Sequence, residues 1–195
     1  MRHNPIPSIV LAAALGACNA QPELLNSERI QQRFGSYGIE VLQQDDRMRR
    51  SNLYSIENGS RVCRTYAVVE FVDPVDPELA TTHRAVVDGE SIGTSFRAAG
   101  WRIGKETIHV GSMRLPRPQH AVANLMDLDD AAELGVHAYR LVLRKGSQTV
   151  HYATIIESHH PLYLSEIDLS QLYADEIAGH LEPAEIEALV QLVLN

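Results

Sequence analysis

The sequence predicts a single α+β domain with a mainly antiparallel sheet, built from two β-hairpins, and flanking helices. Two hairpin patterns support this prediction, one centred on Asn58-Gly59 and one turning at Lys145–Gln148. The chain also closes with two helical patterns, over Ser165–Ile177 and Pro183–Leu194. Short turns can join only antiparallel strands, so the hairpins favour an antiparallel sheet.

Composition and charge restrict the class of protein. The chain has 195 residues, of which 45% are hydrophobic and 22% charged, so it is long and apolar enough for one hydrophobic core. The formal net charge of -8 gives an acidic surface that repels phosphate backbones. We therefore expect no nucleic acid partner.

The first hairpin is predicted from Asn58-Gly59, because both positions of a tight two-residue turn favour positive φ. Such a loop pairs Tyr54 with Cys63 and Ile56 with Arg61. Strict alternation then predicts one mostly apolar face, which holds Tyr54, Ile56, Cys63, Thr65, Ala67, Val69 and Phe71. We therefore expect Cys63 to point into the core as a small hydrophobic side chain.

The second hairpin pairs Val136–Arg144 with Thr149–Glu157. One predicted face is apolar and carries Tyr139, Leu141, Leu143, Val150, Tyr152 and Ile156. The other is polar and carries Arg140, Arg144, Thr149, His151 and Glu157. This alternation predicts a sheet with one face in water, whose arginines are candidates for contacting an acidic partner.

The remaining elements follow from apolar periodicity and from capping residues. The first is a helix over Ser27–Arg33, capped by Asn26 or Ser27 and ended by Gly35. A strand over Tyr37–Leu42 follows, and then a polar interruption over Gln43–Arg50. The later elements are a helix over Glu78–Asp88, a short helix from Ser91 to Ala99, a strand over Trp101–Met113 and a helical turn within Asp127–Leu134.

The amino terminus has the pattern of a secretory signal. Met1–Ser8 is polar and carries the cation Arg2, whereas Ile9–Ala17 is apolar and uncharged. The apolar stretch is far shorter than the roughly 20 residues that a membrane-spanning helix needs. We therefore expect export and removal of this segment.

The stretch Leu15-Gly16-Ala17-Cys18 resembles the lipobox of bacterial lipoproteins, with an aliphatic residue three positions before the cysteine and small residues between. The resemblance implies cleavage before Cys18, a diacylglyceryl thioether on its sulfur and a further acyl chain on the new amino terminus. Two or more chains anchor a protein stably. The alternatives are an ordinary signal peptide, cut after Ala17 or Ala20, and a cytosolic chain with an apolar start.

This resemblance predicts a signal peptide over residues 1–17, a lipidated tether over 18–26 and a periplasmic α+β domain over 27–195. Asn19 follows the cysteine where an aspartate would favour the inner membrane, so the expected location is the periplasmic face of the outer membrane. With Cys18 lipidated, Cys63 has no disulfide partner.

Gly89-Glu90-Ser91-Ile92-Gly93 fits the G-x-S-x-G pattern and resembles the nucleophile elbow of α/β-hydrolases. With Ser91 as nucleophile, Asp130 and His151 would complete a triad in the chain order of that family. The family requires a parallel sheet, however, and the hairpins predict an antiparallel one. The segment fits equally a helix–turn–helix corner in which Gly89 ends one helix and Ser91 caps the next, and this is the interpretation we favour.

Metal and cofactor sites are not predicted. The adjacent His159-His160 would point to opposite faces of a strand, and the sequence contains neither H-x-x-x-H nor a glycine-rich phosphate loop. The leading hypothesis is a non-enzymatic binding module, held on the membrane by its lipid and contacting an envelope protein partner. A small envelope serine hydrolase and a periplasmic metal-binding protein are the alternatives.

Overall fold

The structure is a computed structural model that describes residues 24–115, 121–129, 132–173 and 181–194. Its elements, in chain order, are α1 (Asn26–Phe34), β1 (Gly38–Gln44), β2 (Met48–Glu57), β3 (Ser60–Phe71), a 3-10 turn (Pro77–Leu79) leading into α2 (Ala80–Val87), α3 (Ile92–Ala98), β4 (Arg102–Arg114), α4 (Ala121–Met126), β5 (Glu133–Lys145), β6 (Gln148–His159), α5 (Glu166–Tyr173) and α6 (Pro183–Leu194). The predicted α+β class is confirmed.

The strands form one six-stranded antiparallel sheet in the order β1-β2-β3-β6-β5-β4. Each half of the sheet is a three-stranded meander, and the two meanders join where Val68 of β3 pairs with Ile156 of β6. Both predicted hairpins are present, at β2–β3 and β5–β6. The outer strands of the sheet are β1 and β4.

Helices cover both faces of this sheet. Adjacent strand residues point to opposite faces, so Val68, Ala138 and Ile156 define one face and Val69, Tyr139 and Ile155 the other. The first set packs with residues of α4 and α6, and we call this the α6 face. Residues of α1, α2, α3 and α5 pack on the other side, which we call the α1 face.

Helix α1 lies within one residue of its predicted bounds at both ends, but its capping residue differs from the prediction. Gly35 ends it in the left-handed region at φ 73°, where glycine is the least strained residue. The N-cap is Leu25, whose N–H donates to the Glu28 carboxylate at 2.7 Å, so the capping role predicted for Asn26 or Ser27 is wrong. Asn26 is instead buried against the sheet and donates to Thr65.

A bulge in the first hairpin overturns its predicted face. Tyr54 pairs with Cys63 as predicted, but Leu53 pairs with Thr65, so Arg64 is an extra residue in β3. Cys63 therefore lies on the α6 face, whereas Ala67, Val69 and Phe71 pack on the α1 face. The burial predicted for Cys63 is confirmed, although its neighbours on that face were predicted wrongly.

The second hairpin has its own bulge at Tyr152, because Leu141 pairs with Ala153 and Val142 with His151. Ile156 consequently lies on the α6 face. Glu157 is buried, so the fully water-exposed face predicted for this hairpin is wrong. Polar residues face water only towards the turn, where Arg140, Thr149 and His151 are exposed, because helices cover the rest of the hairpin.

The helical turn predicted within Asp127–Leu134 falls partly on residues 130 and 131, outside the described residues, and β5 already begins at Glu133. Helix α4 spans Ala121–Met126, and Asp127 adopts φ 53°, a left-handed conformation that ends the helix. The last two helices are predicted more closely: α6 matches its predicted bounds, and α5 begins at Glu166, with residues 174–177 outside the described ranges. Among the helices described, none has the length and apolar character needed to cross a membrane.

Candidate functional site

A cavity of about 100 Å³ lies between the α1 face of the sheet and the starts of helices α1 and α3. We call it the Arg49 cavity. Its floor is apolar and comes from five strands, through Leu53, Val69, Ile103, Leu141 and Ile155. The polar residues in its wall include Arg49, Ser51, Tyr139 and Glu157. An apolar chamber with a few polar groups is the usual composition of a small-molecule site.

The cavity continues into a surface groove of about 310 Å³. The two share Leu25, Ser27, Tyr37, Ser91 and Gly93, which therefore form the mouth of the cavity. On the outer side, the groove is bordered by Arg97 of α3, whose guanidinium pairs with the Glu28 carboxylate at 2.7 Å. The mouth thus lies where the first turns of two helices meet.

The Gly89–Gly93 motif forms part of this mouth. Helix α2 ends at Val87, Gly89 turns the chain at φ 107°, and Ser91 is the N-cap of α3. The segment before Ser91 is therefore a helix, not the strand that a nucleophile elbow requires. The favoured helix–turn–helix corner is the geometry that forms.

Among the described residues, no histidine lies beside Ser91 to form a triad. Histidine is absent from the described residues that line the cavity or its groove. No hydrogen bond joins Ser91 Oγ to any histidine in the described ranges. His151 lies on the exposed end of β6, with Nε2 at 3.1 Å from the Ala153 carbonyl oxygen. Asp130 lies outside the described residues.

Arg49 is the most unusual side chain of the cavity, because it is buried with only 1% of its surface exposed. Its Nε donates to Ser51 Oγ at 3.1 Å and its Nη1 to the Glu90 carbonyl oxygen at 2.7 Å. Its Nη2 is buried without a hydrogen-bond partner. Burial lowers the pKa of Arg49, but arginine remains protonated in proteins, so the cavity wall carries a positive charge.

A second buried arginine shows how the chain normally neutralises such a charge. Arg64 is 4% exposed, forms an ion pair with Glu57 and lies 3.8 Å from the centre of the Phe34 ring. Arg49, in contrast, forms no ion pair with any carboxylate of the described residues. A buried charge without a partner is costly, so one left in a cavity wall indicates a site for an anion.

Glu157 contributes the acidic group of the cavity. Its carboxylate accepts a hydrogen bond from the Tyr139 hydroxyl at 3.3 Å, and burial raises its pKa. His159 lies beside it, with Nε2 at 3.9 Å from the Glu157 carboxylate and Nδ1 at 2.9 Å from Thr65 Oγ1. Burial disfavours the ionised form of this carboxyl, so the raised pKa weakens the negative charge that Glu157 brings to the cavity.

Two buried histidines on the α1 face remain neutral near pH 7. His137 contacts Thr107 Oγ1 at 3.0 Å and stacks on the Tyr173 ring at 3.9 Å between ring centres. Burial lowers the pKa of His137 to about 2 and that of His159 to about 3. Such low pKa values make both imidazoles weak proton acceptors, and neither is among the described residues that line the cavity, so their contacts assign them to packing and hydrogen bonding.

Metal and thiol chemistry find no support in the part of the chain described. There, no cluster of three or more histidine, cysteine, aspartate or glutamate side chains is arranged to hold a metal ion. The Cys63 thiol is free and buried, and burial raises its pKa to about 12, which suppresses the reactive thiolate. Cys18, the predicted lipidation site, lies outside the described residues.

The two charged residues of the cavity, Arg49 and Glu157, were not predicted as site residues. Arg49 falls in the segment predicted as a polar interruption, and Glu157 was assigned to a face in water. The alternation Arg49, Ser51, Leu53 was the available signal, because it places a cation on the same face as core residues. No protein-family model matches the chain, and no curated protein matches it.

Proposed function

We propose that this protein is a lipid-anchored binding module of the cell envelope, and that it binds a small ligand in the Arg49 cavity. The observation that carries the proposal is the combination of an apolar floor with one buried, unpaired cation beside an open mouth. Pockets for small molecules combine largely apolar walls with a few polar groups that orient the ligand.

The anchor and the cavity are close along the chain. Cys18 precedes Leu25, a residue of the mouth, by seven positions. A fully extended chain of that length reaches about 25 Å. Lipid on Cys18 would therefore hold the mouth near the membrane surface, and the tether would raise the effective concentration of the domain there. The proposed location is the periplasmic face of the outer membrane.

Contact with an envelope protein is a second candidate function. Leu162, which follows β6, is 77% exposed, and Ile167 at the start of α5 is 70% exposed. Exposed apolar side chains mark protein interaction sites when they form a contiguous patch. Replacing both residues with serine tests this role: co-purification of a specific envelope protein with the native chain, but not with the variant, would support it.

The anchor is tested by mass spectrometry of the mature protein purified from bacterial membranes. We expect an amino-terminal Cys18 that carries a diacylglyceryl group and an acyl chain. Cys18→Ser should lose the lipid and leave the membrane fraction, whereas the matched control Cys63→Ser should keep both. An unacylated mature terminus, or an intact leader on a soluble protein, would contradict the proposal.

The cavity is tested separately, by thermal unfolding of the lipidated protein with short-chain acids, amides and alcohols. A ligand that binds only the folded state raises Tm. We expect at least one of these classes to raise the Tm of the wild type but not that of Gly93→Val. A Cβ on Gly93 would lie 2.8 Å from Leu25 Cδ1, so valine adds an isopropyl group to the mouth and narrows it. If no class raises Tm, the binding role is wrong even where the anchor is confirmed.

A further inference from the structure

The unpaired guanidinium also specifies the chemistry of the ligand, and this inference rests on the proposed binding function. We infer that the Arg49 cavity binds a short-chain monocarboxylate, with its carboxylate on Arg49 and its alkyl chain against the apolar strand residues. The inference depends on charge, on donors and on volume.

Charge favours an anion. Two nitrogens of the Arg49 guanidinium are used by Ser51 and Glu90, which fix its position between β2 and the loop before α3. The third, Nη2, has no partner and remains available for a ligand oxygen. A carboxylate placed there makes a charge-assisted hydrogen bond and neutralises a buried charge, which is worth more than a bond between neutral groups.

The neighbouring groups suit the same oxygen atoms. Asn26 and Ser27, the first residues of the nine-residue helix α1, line the cavity, where the helix dipole presents partial positive charge. Tyr37 lines it too, and burial raises the pKa of Tyr37 to about 12, so its hydroxyl stays protonated and remains a hydrogen-bond donor. These groups supplement Arg49, whose free nitrogen carries the assignment.

Volume and charge together favour a short anion with a single negative charge. The cavity of about 100 Å³ holds a ligand of about five non-hydrogen atoms, the size of propionate, given that about 150 Å³ suffices for benzene. A longer alkyl chain would leave between Leu25 and Gly93 into the groove. Arg49 is the only lysine or arginine among the described residues that line the cavity, so a dicarboxylate or a phosphate dianion would bury uncompensated charge.

The experiment is isothermal titration calorimetry of the lipidated protein in detergent with propionate and with propionamide, its neutral analogue of the same size. We expect propionate to bind at least tenfold more tightly than propionamide. Arg49→Gln should remove this preference. Arg64→Gln is the matched control, because that arginine is also buried but lies outside the cavity, and it should keep the preference.

The outcomes separate the ligand class from the binding function. Equal affinity for propionate and propionamide, or a preference that persists in Arg49→Gln, would overturn the carboxylate while leaving the cavity as a binding site. If neither compound binds, the inference that the ligand is a short-chain monocarboxylate is also overturned. If Arg49→Gln does not fold, as judged by near-ultraviolet circular dichroism, Gly93→Val replaces it and should lose propionate binding, whereas undiminished binding would refute the inference.

Discussion

Acid should destabilise this protein through two histidines whose side chains are buried in the folded state. His137 and His159 are almost completely buried, and burial lowers their pKa values to about 2 and about 3. In the unfolded chain each imidazole has its ordinary pKa near 6.5. Below that pH the unfolded state binds protons that the folded state does not bind. The free energy of unfolding therefore decreases as the pH falls from about 6.5.

The magnitude follows from the two pKa values. At pH 5 an imidazole of ordinary pKa is almost fully protonated in the unfolded state and nearly unprotonated in the fold, a difference of about 2 kcal/mol per histidine. The pair should therefore lower the free energy of unfolding by about 4 kcal/mol between pH 7 and pH 5. That is a large part of the roughly 5–15 kcal/mol available to a typical domain.

Glu157 acts in the opposite direction. Burial raises its pKa, so between its unfolded and folded pKa values the folded state binds the extra proton, and stability rises as the pH falls. Glu157→Gln removes this compensation and should make the loss of stability in acid steeper. A shallower loss in Glu157→Gln would show that the carboxyl is ionised in the folded protein.

The assay is urea unfolding followed by circular dichroism at pH 7, 6 and 5. Between pH 7 and pH 5, the free energy of unfolding should fall by about 2 kcal/mol less in His137→Gln, and likewise in His159→Gln, than in the wild type. This difference should hold whatever the stability of each variant at pH 7. The exposed His151 provides the control, because His151→Gln should keep the full dependence. If His137→Gln and His159→Gln both lose as much stability between pH 7 and pH 5 as the wild type, the reasoning is refuted.

Three further predictions concern single residues. A fluorophosphonate probe should label neither the wild type nor Ser91→Ala, because no described histidine is bonded to Ser91, and labelling that the variant abolishes would restore the hydrolase hypothesis. Gly135→Ala should lower the free energy of unfolding by about 1–3 kcal/mol in urea titrations, because its Cβ would lie 2.5 Å from the Leu164 carbonyl oxygen; wild-type stability would contradict this. Ellman's reagent should react with the Cys63 thiol only after unfolding, and rapid reaction of the folded protein would show that the thiol is exposed.

Local signals predicted the fold well wherever they had a single physical cause. Asn58-Gly59 determined the turn and the first pairs of its hairpin, because few backbone conformations join two strands in two residues. Pro183 and the apolar stripe after it located α6 over its full length. The helix–turn–helix corner at Gly89 and Ser91 was likewise predicted from capping chemistry.

The face of the sheet to which each strand residue points was harder to predict, because a bulge reverses that face without leaving a local signal in the sequence. The extra residues Arg64 and Tyr152 each shift the alternation by one, so residues beyond them change face. Glu157 was assigned to water for the same reason, since it lies beyond the Tyr152 bulge, which turns it to the α1 face, where the helices bury it. Arg49 was missed because a buried arginine is rare and a polar run usually indicates a loop.

The position of a bound carboxylate relative to Arg49 is the most direct test of the cavity. A crystal of the lipidated protein grown with propionate locates the ligand by its difference electron density. We predict one propionate peak inside the cavity, with a carboxylate oxygen within hydrogen-bonding distance of Arg49 Nη2, and no such peak in Arg49→Gln. An empty cavity in the wild type, or an equal peak in the variant, would contradict the assignment.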